Sequence, residues 1–180
     1  MTENGQVETL YRGRFMDMVR RARWEYVTRP NATGVVAVVA LHDDGRVVLI
    51  EQERPPVRGR VVELPAGLVG DVDAQESMLT AAQRELLEET GYEATTWFEL
   101  FTGLSSAGLT DEAVTYFLAT GLRKTGQGGG VDGEAIEMHE VPVENLIGWI
   151  AQRAAGGVHV DAKLLSGVYA AIEYQKKAGV

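Results

Sequence analysis

The chain has 180 residues, 45% of them hydrophobic and 24% charged, with a formal charge of −9 and no cysteine. That length holds one sizeable core and is short for two, the composition excludes a wholly disordered chain, and the acidic balance argues against nucleic acid as the main partner, because phosphate binding needs clustered Lys and Arg. Without cysteine there are no disulfides, thiolate metal sites or thiol nucleophile, which is compatible with a reducing cytoplasm, the expected location.

In chain order, the N-terminal MTENGQVE lacks the basic and then apolar pattern of a secretion signal. The longest apolar run, Val35 to Leu41, is about a third of a membrane span, so no membrane partner is expected. Between Arg12 and Arg29 lie Arg12, Arg14, Arg20, Arg21, Arg23 and Arg29 among aromatics, which reads as a solvated patch in preference to a polyanion site. Strand character begins at WEYVTR, Trp24 to Arg29. It continues in Gly34 to Leu41 and in Arg46 to Gln52, with Asp44-Gly45 as the hairpin turn. The Pro- and Arg-rich loop ERPPVRGR leads to VVELPAG, where Pro65 and Gly67 should end a strand. Residues 1–33 thus form an N-terminal extension with strands, and 34–180 the main domain.

From Ala74 to Thr90 the pattern is helical, with Leu79, Ala82 and Leu86 on one side, Glu85, Glu88 and Glu89 on another, and Gly91 as the stop. Strand-like stretches follow at Thr95 to Gly103 and Ala113 to Ala119, separated by LSSAGLTDE. KTGQGGGVDG, Lys124 to Gly133, reads as a mobile loop. Ile136 to Val141 is a short strand, and Val143 to Ala155 and Asp161 to Lys177 are helix-like. Strands with interspersed helices indicate an α+β or α/β sandwich.

The three glutamates within one turn pose the functional question. On a wet face each like-charge pair costs only a few tenths of a kcal/mol. Partly buried, carboxylates about 4 Å apart would repel by roughly 4 kcal/mol per pair at an effective dielectric of 20. A divalent cation would reverse that sign, and all-oxygen ligands suit Mg²⁺ or Mn²⁺ over Zn²⁺. His42, His139 and His159 are scattered singly.

The spacing decides between these readings. Gly70, Glu76, Arg84-Glu85-Leu86, Glu88-Glu89 and Gly91-Tyr92 reproduce the complete box of the Nudix hydrolases, a chance match of about one in a million by average usage. The chain resembles that family from about Trp24 to Val141. The resemblance implies an α/β/α sandwich with a mixed sheet, in which carboxylates present divalent metal to a nucleoside diphosphate linked to a group X. It makes Glu85 and Glu89 the leading metal ligands, with Glu88 assisting, and Arg84 the arginine that orients a glutamate; Glu76 falls near the opposite side of an ideal helix from Glu85 and is read as structural. No covalent nucleophile is called for: Ser105 and Ser106 lie in no G-x-S-x-G turn.

EQER (Glu51 to Arg54) and ELPAG (Glu63 to Gly67) are similar to the ADP-ribose pyrophosphatase and nucleotide-sugar branch. That likeness implies the Ala66 carbonyl as a metal ligand, Arg54 on the diphosphate and Glu63 as a further polar contact; Glu51 and Arg54 as a cross-strand surface pair is the alternative. Glu112 matches the acid after this branch's Ser-Pro-Gly-type loop, although Ala107 replaces the expected proline and leaves other nucleoside diphosphate sugars open. A general base should come from outside the metal helix, which points to Glu134, with Asp132 next. Trp24 and Tyr26 fall where this branch crosses to a partner subunit and stacks on the base, implying a homodimer; Trp24 could equally be core. The competing function is a non-catalytic Nudix-fold sensor of ADP-ribose or a nucleotide sugar.

Overall fold

The computed structural model describes residues 5–71, 73–130 and 135–178. The first three strands, β1 (Val7–Arg12), β2 (Asp17–Arg21) and β3 (Trp24–Thr28), form a separate antiparallel sheet in the order β1-β2-β3. Only Val19 of that sheet is buried. The larger sheet is built from β4 (Gly34–Leu41), β5 (Arg46–Arg54), β6 (Gly59–Glu63), β7 (Ala66–Val69), β8 (Tyr92–Leu104), β9 (Ala113–Lys124), β10 (Glu137–Pro142) and β11 (His159–Val160). Its main path runs β11-β6-β5-β4-β9-β8, with β10 on β5 and β7 on β4. The β4–β9 and β11–β6 pairs are parallel and the rest antiparallel, so the sheet is mixed.

Three helices cover it: α1 (Met78–Thr90), α2 (Leu146–Ala155) and α3 (Ala162–Ala178). β4 explains the layering. Its apolar residues run without polar interruption because both faces are covered. Ala37, Val39 and Leu41 join the core holding Leu146 of α2 and Leu164, Val168 and Ala171 of α3. Val36, Val38 and Ala40 join the core with Ala81, Ala82 and Leu86 of α1. The result is the expected α/β/α sandwich.

The opening that becomes the site follows from strand divergence. β4 and β5 pair only at Ala40–Val48 and Leu41–Val47, beside their hairpin turn. Beyond that, β5 pairs β6 from Ile50 to Arg54 while β4 pairs β7 from Gly34 to Ala37. The turn between β6 and β7 is pinned in the gap by the Val38 N–H, which donates to the Pro65 carbonyl at 2.8 Å.

Helix α1 starts later than its apolar pattern suggests. The Ser77 hydroxyl accepts the Thr80 N–H at 3.1 Å, the geometry of an N-cap, so Ala74 to Glu76 lie outside the helix. Its buried residues are Ala81, Ala82, Leu86, Glu89 and Thr90; Leu79, expected with Ala82 and Leu86, is exposed at the edge of that stripe. Gly91 ends the helix at φ 71°, its N–H donating to the Leu87 carbonyl at 2.8 Å.

The described part of the glycine-rich segment expected to be loose, as far as Gly130, is tied to the end of α1, and its remainder lies outside the described residues. Thr125 and Gly126 donate to the Gly91 carbonyl, Gly129 to that of Glu89 at 2.8 Å, and Gly130 to that of Glu88 at 3.0 Å. A side chain on Gly128 would meet the Thr90 carbonyl carbon at 2.4 Å, so only glycine allows this approach. The orphan carbonyls of the last helical turn are thereby satisfied.

Candidate active site

An open cleft of about 610 Å³ lies where β4 and β5 part. Its lining draws on four regions: Arg29 and Glu112 on one side, Gln52, Arg54 and Glu63 from β5 and β6, Ala66, Gly67, Asp71, Glu85 and Glu89 on the metal-helix side, and Asp161 with Lys163 at the start of α3.

The three glutamates of α1 are not equivalent. Glu89 is 5% exposed, and the side chains of Glu85 and Glu88 are 13% and 31% exposed. Glu85 and Glu89 line the cleft; Glu88 does not. Glu89 accepts the Ala66 N–H at 3.0 Å, so the ELPAG turn touches the acid directly. Gly67 packs so closely on Glu85 that an added Cβ would lie 1.9 Å from its Oε1.

Arg84 holds this group together. Its Nη1 donates to Glu85 Oε1 at 2.7 Å and Glu88 Oε2 at 3.1 Å, its Nε to Glu76 Oε1 at 2.9 Å, and its Nη2 to Glu76 Oε2 and the Leu68 carbonyl, both at 3.2 Å. Glu76 reaches it from ahead of the N-cap instead of from the far side of a longer helix. The Arg84 hydrogen bond holds the Glu76 carboxyl below its ordinary range. Burial pushes Glu85 the other way, up to about 7, against the opposing pull of Arg84 and with added repulsion from Glu88 and Asp71.

The chemistry of the donor set fits a hard divalent cation. Glu76, Glu85 and Glu88 share one guanidinium at close range, the candidate donors are all oxygen, and Glu85 and Glu89 are mostly buried on the cleft wall.

On the β5–β6 wall, Arg54 forms a two-point pair with Glu63, Nε to Oε1 and Nη2 to Oε2 at 2.7 Å each, which raises the Arg54 pKa further. The fork keeps its Nη1 donors for another anion. Arg54 therefore pairs across strands with Glu63, not with Glu51. Opposite, the Arg29 Nε donates to Glu112 at 2.8 Å, and the Thr28 hydroxyl to Asp111 at 3.0 Å. These contacts, with the Val27 N–H on the Leu109 carbonyl at 2.9 Å, attach β3 to the loop before β9.

Trp24 and Tyr26 sit on β3 away from the cleft of their own chain, and Trp24 is largely exposed. Asp132 and Glu134 lie outside the described residues. Sequence reasoning missed Asp161 and Lys163. Asp161 accepts the Lys163 N–H at 2.8 Å and pairs with the Lys163 ammonium, and the parallel β11–β6 pairing carries both to the cleft. The available signal was the acid heading the last helical pattern.

A second cluster of acids lies under α2. Glu51, Glu137 and His139 bring one potential ligand atom each within 4.8 Å of one another, a geometry that could hold a metal. Glu51, however, already receives Arg60 Nε at 2.6 Å, the Arg153 guanidinium, and a contact with His139 at 3.2 Å. Two guanidinia meet the charge of Glu51 and Glu137 without an ion.

Comparison with known proteins agrees with the geometry. The NUDIX domain family matches residues 31–164. The chain is 37% identical over 174 residues to the ADP-ribose pyrophosphatase of Mycobacterium tuberculosis (strain ATCC 25618 / H37Rv), covering 91% of this chain and 79% of the relative. It is 30% identical to the GDP-mannose pyrophosphatase of Citrobacter koseri (strain ATCC BAA-895 / CDC 4225-83 / SGSC4696), covering 74% and 71%. The fold is shared with a solved structure described as an ADP compounds hydrolase, at a TM-score of 0.77 and 21% identity, covering 97% of this chain and 94% of the other.

Proposed function

The chain belongs to the Nudix family, and from that premise we propose that it hydrolyses the pyrophosphate of ADP-ribose or a related nucleoside diphosphate sugar to a nucleoside monophosphate and a sugar phosphate. The observation that carries this reading is the placing of Glu85 and Glu89 on the wall of a 610 Å³ cleft beside the Arg54–Glu63 pair, so that acids for a cation and a guanidinium for phosphate face one space.

Glu85 and Glu89, with Ala66 beside them and Glu88 assisting, would hold Mg²⁺ or Mn²⁺, which when bound neutralises the diphosphate oxygens and lowers the pKa of an attacking water. Arg54 binds the diphosphate through the donors that Glu63 leaves free, and Glu63 sets the plane of the fork. Arg84 orients Glu85 and Glu88 and touches no substrate. Glu112, fixed by Arg29, bounds the far side. Glu134, or Asp132 beside it in sequence, takes the proton from water.

The reading extends to a homodimer. A three-stranded sheet whose strands bury almost nothing is not stable alone, and Tyr11, Phe15 and Trp24 are 68%, 66% and 57% exposed. A second copy covers these residues and brings its Trp24 and Tyr26 towards a nucleotide base. Sedimentation should give twice the chain mass.

The test of function is a panel of ADP-ribose, GDP-mannose, UDP-glucose, dinucleoside polyphosphates and dNTPs with Mg²⁺, followed by product analysis. Release of nucleoside monophosphate and sugar phosphate from ADP-ribose or another nucleotide sugar is expected. Tight binding without phosphate products under any metal would favour a sensor and reject the enzyme.

A further inference from the structure

The cleft has two ends, set apart by the order of the strands. Along β11-β6-β5-β4-β9 the Arg54–Glu63 pair belongs to the middle, on β5 and β6. Glu112, just ahead of β9, closes one end with Arg29. Asp161 and Lys163, just after β11, close the other. A diphosphate on Arg54 therefore meets different side chains to either side.

The β11 end is fixed by backbone bonds. The Asp161 N–H donates to the Val62 carbonyl at 3.0 Å, which continues the parallel pairing of Val160 with Val62. The Asp161 carboxylate accepts the Lys163 N–H at 2.8 Å, the bond of an N-cap on α3, and Leu164 beside it is fully buried. Neither side chain is used up by this. Asp161 receives the Lys163 amide and ammonium, yet a carboxylate has about four acceptor sites, and the ammonium has donors beyond the one on Asp161. Both line the cleft, with the Asp161 and Lys163 side chains 18% and 31% exposed.

The chemistry of this end matches one part of a substrate. Asp161 and Lys163 cancel in charge, so a further phosphate finds no unbalanced cation there. Among the described residues no aromatic ring lines the cleft; the apolar groups on this side are Val61, opposite His159 in register, and Pro56 and Val57 between β5 and β6. A base would have nothing to stack on. What this end offers is an acceptor beside a donor, which neighbouring sugar hydroxyls satisfy, since each hydroxyl both donates and accepts. Asp161 also acts on Arg54, whose pKa is raised first by the Glu63 hydrogen bond and then, against burial, by the charges of Glu63, Glu89 and Asp161. One guanidinium is thus within electrostatic reach of a metal-side acid and of Asp161.

We propose, on the pyrophosphohydrolase reading of the cleft, that Asp161 and Lys163 form the subsite for the sugar hydroxyls of group X and so set the preference for a nucleoside diphosphate sugar over a diphosphate with a smaller substituent. Asp161 accepts one hydroxyl and Lys163 donates to its neighbour, while Arg54 holds the diphosphate. A substituent without hydroxyls forfeits both bonds.

The test is steady-state hydrolysis, with Mg²⁺, of ADP-ribose and of the β-methyl ester of ADP, which has the same diphosphate charge and no sugar beyond it. If GDP-mannose is the better substrate, it is compared with the β-methyl ester of GDP. Wild type should favour the nucleotide sugar by about tenfold or more in kcat/KM. Asp161→Asn, which keeps an N-cap side chain, and Lys163→Met should each bring that ratio towards one. The change should fall mainly on KM for the nucleotide sugar, because the contact is made alike in the ground and transition states. Taking the ratio cancels any general change in folding or metal binding. Equal turnover of both compounds by wild type would overturn the subsite. An unchanged ratio in either variant would do the same, and would leave Asp161 only the cap of α3. Wild type that hydrolyses no nucleotide sugar would reject the reading of the cleft and the subsite with it, whereas hydrolysis with an unchanged ratio rejects the subsite alone.

Discussion

Two carboxylate clusters, one under α2 around Glu51 and one on α1 around Glu85 and Glu89, are both largely buried, yet they are balanced in opposite ways. Glu51 meets Arg60 and Arg153 and lies beside His139. Burial pushes its pKa up, but the hydrogen bonds from Arg60 and Arg153 outweigh that and hold it below the usual carboxylate range. On α1 the ratio is inverted: Glu76, Glu85 and Glu88 share Arg84, Glu89 lies in the field of an Arg54 that is already paired with Glu63, and burial wins at Glu85, pushing it up to about 7. A buried acid whose charge is met by protein cations is a structural device. Acids that outnumber their cations beside an open cleft have room and need for an outside ion. Close approach of acidic and imidazole groups is thus insufficient to identify a metal site; the local charge balance decides.

The contrast can be broken at either cluster. The largest effect is expected from Glu89→Gln, which should reduce turnover by about a thousandfold or more while circular dichroism and thermal unfolding stay close to wild type. Retained activity would remove Glu89 from the reaction. Arg84→Lys should follow, with a loss of about 10- to 100-fold, because a point charge cannot bond Glu76 through a planar fork and Glu85 and Glu88 as well; metal titration should show weaker binding. Glu51→Gln should behave in the opposite manner, leaving activity per folded molecule intact but costing about 3 kcal/mol in denaturant unfolding, since Arg60 and Arg153 lose their shared partner. A large fall in kcat with normal stability would make Glu51 part of the site.

The pH dependence sharpens the same point. Glu51 and Glu76 both have folded pKa values below those of the unfolded chain. Their stabilisation is fully present above the ordinary carboxylate range, about 4.3, and is lost as pH falls through the lower folded values. Urea midpoints should therefore be flat near neutrality and drop in acid, with Glu51→Gln showing a smaller drop than wild type. An equal acid drop in the variant would show that Glu51 is not a source. The smallest effect belongs to the α1 surface: Leu79→Ala should change stability by less than about 0.5 kcal/mol, whereas Leu86→Ala in the core should cost about 2–5 kcal/mol.

Much of this architecture was legible because burial imposes pattern. β4 is apolar throughout since both faces are covered, and α1 has the acidic spacing of its family. β1 and β2 gave no such signal: their residues, apart from Val19, are not sorted into a buried and an exposed face. The start of α1 was misplaced because a hydroxyl at Ser77, not apolar periodicity, ends the approach. Glu85, Glu89, Arg54 and Glu63 could be found as motifs, each set lying within a short stretch. Asp161 and Lys163 could not, because only the two-residue pairing of β11 with β6 carries them there. The glycine segment after β9 was read for freedom, whereas at Gly128 the lack of a side chain serves close contact with the last turn of α1.

The most direct measurement is Mn²⁺ binding, followed by electron paramagnetic resonance, to wild type, Glu89→Gln and Glu51→Gln. The account predicts that the bound-ion signal is lost or strongly weakened in Glu89→Gln and unchanged in Glu51→Gln. Retention in Glu89→Gln together with loss in Glu51→Gln would place the ion under α2 and contradict it.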